Sequence, residues 1–279
     1  MGIVYFFIFV LGLVVGSFLN VCIVRLPQDQ SVVRPRSHCP HCGTLIRAYD
    51  NIPVLSFLIL RGRCRSCRAP ISPMYPLVEL FTGLLFLFCV NLYGLSPEAL
   101  KYALLGSGLI VLIFTDLKFR LLPNEITVPG MALGILFSFF VPVSDRTLDS
   151  FVVLLTAVSP RAEGLLRWSS LSPVNSLAGL IFGAGILFVV GEIYFRLRGV
   201  EGMGLGDVKM MGLVGAFVGL KLTFLTILVG SILGTLVGLG EILFHQRDLK
   251  YELPFGTFLG CAALLLALFG TPLVPYLLP

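Results

Sequence analysis

The sequence predicts an all-α polytopic membrane protein of about eight transmembrane helices, with both termini outside and a small zinc-knuckle module on the cytoplasmic side. Three observations carry this. The 279 residues are 57% hydrophobic and only 13% charged, with a mean hydropathy of +0.97, whereas soluble domains carry about 25% charged residues. Apolar runs recur along the whole chain, and a spanning helix needs about 20 mostly apolar residues. The one large polar stretch, Arg25 to Pro73, holds two Cys-x-x-Cys pairs.

The predicted spans are Gly2–Val24, Tyr75–Tyr93, Ala99–Thr115, Ile126–Val143, Val174–Phe195, Val208–Leu220, Leu222–Phe244 and Phe255–Val274. None alternates in polarity as a membrane β-barrel strand would. The first run lacks a basic n-region and a small-residue cleavage site, so it reads as a retained span and not a signal peptide. The division expected is a first helix over 1–24, a cytoplasmic four-cysteine module over 25–74 and a core of seven helices over 75–279. Leu148–Val158 is apolar but too short to span, and is expected to be an interfacial helix followed by a loop within Ser144–Pro173.

Small residues recur at four-residue spacing, at Gly12/Gly16, Gly130/Gly134, Gly179/Gly183, Gly215/Gly219 and Gly230/Gly234/Gly238. Such faces let helices approach closely in lipid. With the N-terminus outside, the inside segments hold 15 Lys and Arg and the outside segments 5. That asymmetry fits an N-out, C-out chain. The net charge of +5 therefore reflects orientation and affinity for anionic lipid, and does not point to nucleic acid. The oligomeric state is not legible.

Cys39-Pro40-His41-Cys42 and Cys64-Arg65-Ser66-Cys67 are separated by 21 residues. Two such knuckles can place four sulfurs around one tetrahedral Zn²⁺. Stable disulfides are rare in the cytoplasm, and so small a module gains folding energy from a metal. A redox pair or unligated thiols is the competing reading, and His38 or His41 could replace a cysteine ligand. Cys22, Cys89 and Cys261 lie in apolar runs as small packing residues.

Carboxylates are costly at membrane depth. Asp116 closes the third predicted span and Asp207 opens the sixth, so the Lys/Arg topology puts both at the cytoplasmic edge. Two carboxyls that converge there can share a proton, one accepting a proton from water while the other hydrogen-bonds the scissile carbonyl. Gly204 and Gly206 let backbone approach a peptide at that loop, while Lys209 and Glu201 flank it. Taken singly, each aspartate could instead cap a helix or pair with Lys118 or Lys209. Glu79, inside an apolar run, must pair or face a polar cavity and is a secondary candidate.

The motifs run in order along nearly the whole chain. They are Gly16-Ser17-Phe18-Leu19-Asn20-Val21, Arg25-Leu26-Pro27, the two cysteine knuckles, Asn51-Ile52-Pro53-Val54-Leu55-Ser56 and Tyr75-Pro76-Leu77-Val78-Glu79. Asp116 with Leu122-Pro123-Asn124, Gly204-Leu205-Gly206-Asp207-Val208-Lys209 and Pro254-Phe255-Gly256 follow. This set resembles the bacterial type IV prepilin peptidases, among the Gly-x-Gly-Asp membrane aspartic proteases. The resemblance implies that Asp116 and Asp207 are catalytic and that the substrates are prepilins and type II secretion pseudopilins. These are cut after a glycine that follows a short basic leader, on the cytoplasmic side. It further implies that the loop bearing the four cysteines accompanies methylation of the new N-terminal amine, with S-adenosyl-L-methionine as donor. No Gly-x-Gly loop of the soluble kind marks where that donor would bind. Thr257 stands where the resemblance predicts a second proline, and this departure is expected to leave the catalytic positions untouched. A non-catalytic scaffold docking a partner through the knuckle, or a transporter relaying protons through the same aspartates, are the alternatives in other classes.

Overall fold

The computed structural model describes residues 2–143, 145, 147, 148, 150, 152, 170–200, 202–245 and 253–277. They form α1 (Gly2–Arg25), α2 (Leu55–Ile59), α3 (Met74–Tyr93), α4 (Pro97–Phe119), α5 (Asn124–Ser138), α6 (Ser172–Arg198), α7 (Leu205–His245) and α8 (Phe255–Leu277). Among the described residues there is no strand, only two isolated antiparallel bridges. Among the described residues five helices are long and apolar enough to cross a membrane, namely α1, α3, α4, α6 and α7. The protein is an all-α polytopic membrane protein. Its chain forms two compact units, Met1–Val111 and Leu112–Pro279.

In the first unit α1 lies against α3 on small residues. A Cβ on Gly12 would meet Gly83 Cα at 2.7 Å, and one on Gly16 would meet Glu79 Cα at 2.6 Å. Any larger residue at either position would part the two backbones, and in lipid that close approach supplies the packing energy. The Asn20 side-chain amide donates to the Tyr75 carbonyl at 2.9 Å, one turn further along the same seam. At the end of α1 the chain turns through a short 3₁₀ segment, Leu26–Gln28, set by Pro27. Beyond it the polar module has little regular structure, just a second 3₁₀ turn at Ala48–Asn51 and the five-residue α2.

In the second unit α7 is the central element. Gly130 and Gly134 of α5 face Leu213 and Ala216 of α7, and Gly179 and Gly183 of α6 face Gly215 and Met211. The buried Ser176 hydroxyl donates to the Ala216 carbonyl at 2.6 Å. Further along, Gly230 of α7 is covered by Leu259 of α8.

The sequence predicts two spans, Val208–Leu220 and Leu222–Phe244, where the structure has the single 41-residue run of α7. A straight helix of that length would be about 60 Å long, twice a hydrocarbon core. The run is instead broken at Gly219, whose φ of 82° and ψ of −175° are non-helical. Only glycine adopts that conformation cheaply. The buried Asp145 caps the segment that restarts, accepting the Lys221 N–H at 2.7 Å. The predicted interfacial helix and most of Ser144–Pro173 lie outside the described residues.

Candidate active site and metal centre

Asp116 lies in the last turn of α4 and is buried, 6% exposed. Asp207 lies in the first turn of α7, where its backbone N–H bonds the Gly204 carbonyl at 3.1 Å. A helix N-terminus favours a carboxylate. The two aspartates meet at the start of α8. A Cβ added to Gly256 would stand 3.0 Å from Asp207 Oδ1 and 3.2 Å from Asp116 Cγ. Those carboxyl atoms are therefore no more than 6.2 Å apart, the sum of the two distances. Gly256 fills the gap between them with hydrogen alone.

Thr257 overturns the expectation that its departure from proline leaves the catalytic positions untouched. Its backbone N–H and its hydroxyl both donate to Asp116 Oδ2, at 2.6 and 2.8 Å. Proline could supply neither donor. The Asp116 carboxylate thus caps the start of α8, sharing the Thr257 N–H with the Pro254 carbonyl, which lies at 3.2 Å. Asp116 Oδ1 takes none of the described hydrogen bonds. The signal that could have found Thr257 is its place two residues into the helix after Pro254, a position whose N–H seeks an acceptor.

The neighbouring candidates have more distant parts. Gly206 packs on Leu122, which also borders Gly256, so the Leu122-Pro123-Asn124 turn backs the pair. Lys209 Nζ donates to Asn124 Oδ1 at 2.8 Å, tying α7 to the start of α5. A Cβ on Gly204 would sit 3.8 Å from Asp207 Oδ2, in ordinary contact. Glu79 lies in the first unit, 8% exposed, and accepts the Val54 N–H at 2.7 Å. Val54 has φ +59°, which a β-branched residue adopts only under strain of about 1–3 kcal/mol. Glu79 holds that strained turn in place.

The four knuckle sulfurs of Cys39, Cys42, Cys64 and Cys67 lie within 4.8 Å of one another. A tetrahedron with Zn–S bonds of about 2.3 Å has S···S edges of about 3.8 Å, and Cys39 Sγ lies 3.8 Å from Cys67 Sγ. The knuckles share one turn geometry. Cys39 N–H bonds Thr44 and Cys64 N–H bonds Ala69, with left-handed Gly43 and Arg68 at equivalent places. Among the described residues this group holds cysteines only, so neither His38 nor His41 replaces one of them. Hydrogen bonding from Thr44 draws the Cys42 thiol down to about 6. Cys67 moves the other way, up to about 11; the Ala69 N–H favours its thiolate, but burial and the neighbouring cysteines outweigh it. Four thiolates this close repel unless a cation sits among them, so the cluster could hold zinc.

Comparison with known proteins matches this arrangement to one family. Residues 103–239 match the type IV leader peptidase family and residues 10–93 the bacterial peptidase A24 N-terminal domain. A protein of Pseudomonas putida named prepilin leader peptidase/N-methyltransferase is 34% identical over 94% of this chain and 89% of its own length. The chain belongs to the type IV leader peptidase family. Relatives of the same name in Burkholderia pseudomallei and Myxococcus xanthus are 34% and 41% identical. This chain spans 85% of the first and 64% of the second, matching over 95% and 86% of its own length. No solved structure matches. The family's two matched segments separate the chemistry as the structure does, with the cysteine cluster in the first and both aspartates in the second.

Proposed function

We propose that this family member removes the basic leader of type IV prepilins and type II secretion pseudopilins. It cuts after a glycine at the cytoplasmic face of the bacterial inner membrane and then methylates the new N-terminal residue. The observation that supports this best is the pair of carboxyls flanking Gly256 at helix ends. The Lys/Arg asymmetry orients those ends inward, and the eight-span, N-out and C-out topology rests on the same count. Residues 25–74 serve methylation and residues 75–279 carry the peptidase.

In this reading the aspartate pair shares one proton. One carboxylate takes a proton from water as the water oxygen attacks the carbonyl carbon of the glycine. The partner carboxylic acid hydrogen-bonds the developing oxyanion and then protonates the departing nitrogen. The C–N bond breaks, leaving the leader as a carboxylate and the mature chain as a free amine. Thr257 fixes Asp116 Oδ2 and leaves Oδ1 to water. The narrow floor at Gly256 lets an extended backbone approach both carboxyls. Zinc at the four cysteines is structural. S-adenosyl-L-methionine supplies a methyl group to the amine nitrogen, with the C–S electrons staying on sulfur.

The test is cleavage of a prepilin-like peptide in liposomes. Asp116→Asn and Asp207→Asn should each lose about 10²–10⁴-fold in rate while keeping wild-type thermal unfolding. Sustained cutting by either variant would refute the reading. Loss of ion flux without any effect on prepilin would instead mark a proton relay, and indifference to both changes a scaffold.

A further inference from the structure

We propose that α2 is a membrane anchor, with its apolar face of Leu55, Leu58 and Ile59 set into the acyl chains of the leaflet on the module's side. The cysteine module then rests on the bilayer and does not hang free in water.

The face is inverted for a module surrounded by water. Leu55, Leu58 and Ile59 share one side of the helix, at i, i+3 and i+4 spacing. All three are exposed, Leu58 and Ile59 to 64% and 65%, and so is Ile52, three residues before Leu55. Ser56, the polar residue of the helix, is the one turned inward. It is buried, donates to the Tyr49 carbonyl at 3.0 Å and accepts the Ile52 N–H at 3.1 Å. No residue from Asn51 to Leu60 is charged, where about a quarter would be in a soluble domain. A helix facing water turns its polar side outward, and a helix facing lipid does the reverse.

The depth agrees. α3 has 20 residues, so it is about 30 Å long and matches one hydrocarbon core. Glu79 comes five residues after Met74, about 7.5 Å along the axis. Its carboxylate accepts the N–H of Val54, the residue that opens α2, at 2.7 Å. α2 therefore starts beside residues that lie within the span. Helices in the plane of the interface bury their apolar face by about 5–10 Å, which is this level. Leu77, Leu80 and Phe81 of α3 are exposed there too, so lipid already covers the neighbouring surface.

The charge pattern selects lipid as the occupant. Arg61, Arg63, Arg65 and Arg68 follow α2, all exposed, and no acidic residue lies between Asn51 and Pro73. Cations next to an apolar wedge match a leaflet, whose anionic headgroups lie above its acyl chains.

The anchor is braced to the metal cluster. The bond from Ser56 to Tyr49 ties α2 to the 3₁₀ turn at Ala48–Asn51. Asp50 of that turn is gripped by the Arg65 guanidinium through Nε and Nη2, at 2.9 and 2.6 Å. Arg65 lies between Cys64 and Cys67, so seating α2 in lipid fixes the attitude of the second knuckle toward the bilayer. The consequence for methylation rests on the methyltransferase reading given above, in which the new amine forms at the membrane face. A module anchored in that plane is kept where its substrate is made.

The test uses tryptophan as a depth probe in the full chain, in vesicles of phosphatidylcholine and phosphatidylglycerol in equal parts, with the native Trp168 replaced by phenylalanine. Leu55→Trp, Leu58→Trp and Ile59→Trp should each emit at short wavelength and lose roughly half or more of their intensity to lipids brominated on the acyl chains. Phe57→Trp, on the half-buried side, should lose much less. Water-like emission at all three exposed positions would overturn the anchor. Short-wavelength emission that brominated lipid does not quench would overturn it equally, since a second copy or the prepilin would then cover the face. Leu58→Asp combined with Ile59→Asp should abolish quenching at Leu55→Trp and slow methylation roughly tenfold by loosening the module's position, while leader cleavage and zinc content hold. Methylation at the wild-type rate once quenching is gone would overturn the anchor's part in methylation. A wild type that does not methylate would overturn the methyltransferase reading, and the quenching pattern would still decide the anchor.

Discussion

Replacing Gly256 with alanine sets stability against activity in a way that isolates the aspartate pair. Gly256 sits in the first turn of α8, and its backbone φ lies outside the left-handed region, so alanine meets no conformational barrier. Inside a helix alanine is preferred over glycine by about 0.8–1.0 kcal/mol. The new methyl would nevertheless stand 3.0 Å from Asp207 Oδ1, 3.2 Å from Asp116 Cγ and 3.0 Å from Leu122 Cδ1, where ordinary contact begins at 3.4 Å. Both carboxyls must give way, by 0.4 and 0.2 Å. Overpacking of this sort costs about 1–3 kcal/mol, partly offset by the gain in helix propensity, so the thermal midpoint should barely move. Geometry is less forgiving, since a misplacement of about 1 Å can cost 10²-fold in rate. We expect kcat for leader cleavage to fall roughly tenfold to a hundredfold, with KM changing by less than about threefold. The assay is steady-state cleavage of a fluorogenic prepilin peptide in liposomes, paired with thermal unfolding of the same preparation. Cleavage at the wild-type rate would mean that the gap at Gly256 is not where the carboxyls act.

Thr257→Val removes the hydroxyl that donates to Asp116 and should lower kcat roughly tenfold to a hundredfold, since a hydrogen bond to a charged group is worth about 1.5–3 kcal/mol; Thr257→Ser should restore the rate, and a serine variant as slow as valine would refute the role. Asp145→Ala strips the cap from the Lys221 N–H and should lower stability by about 0.5–2 kcal/mol, read as a drop in thermal midpoint that Asp145→Asn largely avoids. Cys64→Ser should lower zinc content by metal analysis and reduce methylation more than leader cleavage; equal loss of both would make the module a general scaffold.

The apolar runs and glycine spacings made the membrane class and the helix seams legible, because lipid forces hydrophobicity on every exposed face and close packing forces small residues at crossings. Gly12, Gly16, Gly179 and Gly183 each meet a neighbouring backbone or side chain closely. The cysteine spacing announced the cluster for a similar reason, since four sulfurs around one ion tolerate few arrangements. The break at Gly219 was harder to read. A composition window saw a polar Lys221 between two runs, but the bend is a backbone event two residues earlier and depends on Asp145, 76 positions away along the chain for its bond to Lys221. Thr257 was misread because a departure from a motif was judged by its side chain alone. Its N–H matters as much, and only the approach of α4 to the start of α8 gives that N–H a carboxylate. Glu79 was expected to pair or face a polar cavity, and one of its partners is the Val54 N–H.

The hydrogen bonds joining Asp116 to Thr257 reach across 141 residues of sequence, and this bears on biogenesis. As the ribosome delivers the chain, the segment bearing Asp116 enters the bilayer long before residues 256 and 257 exist. Until α8 inserts, nothing clamps that carboxylate and no floor lies beneath the pair. On the proposed mechanism, the carboxylate pair is therefore complete only once α8 is in place.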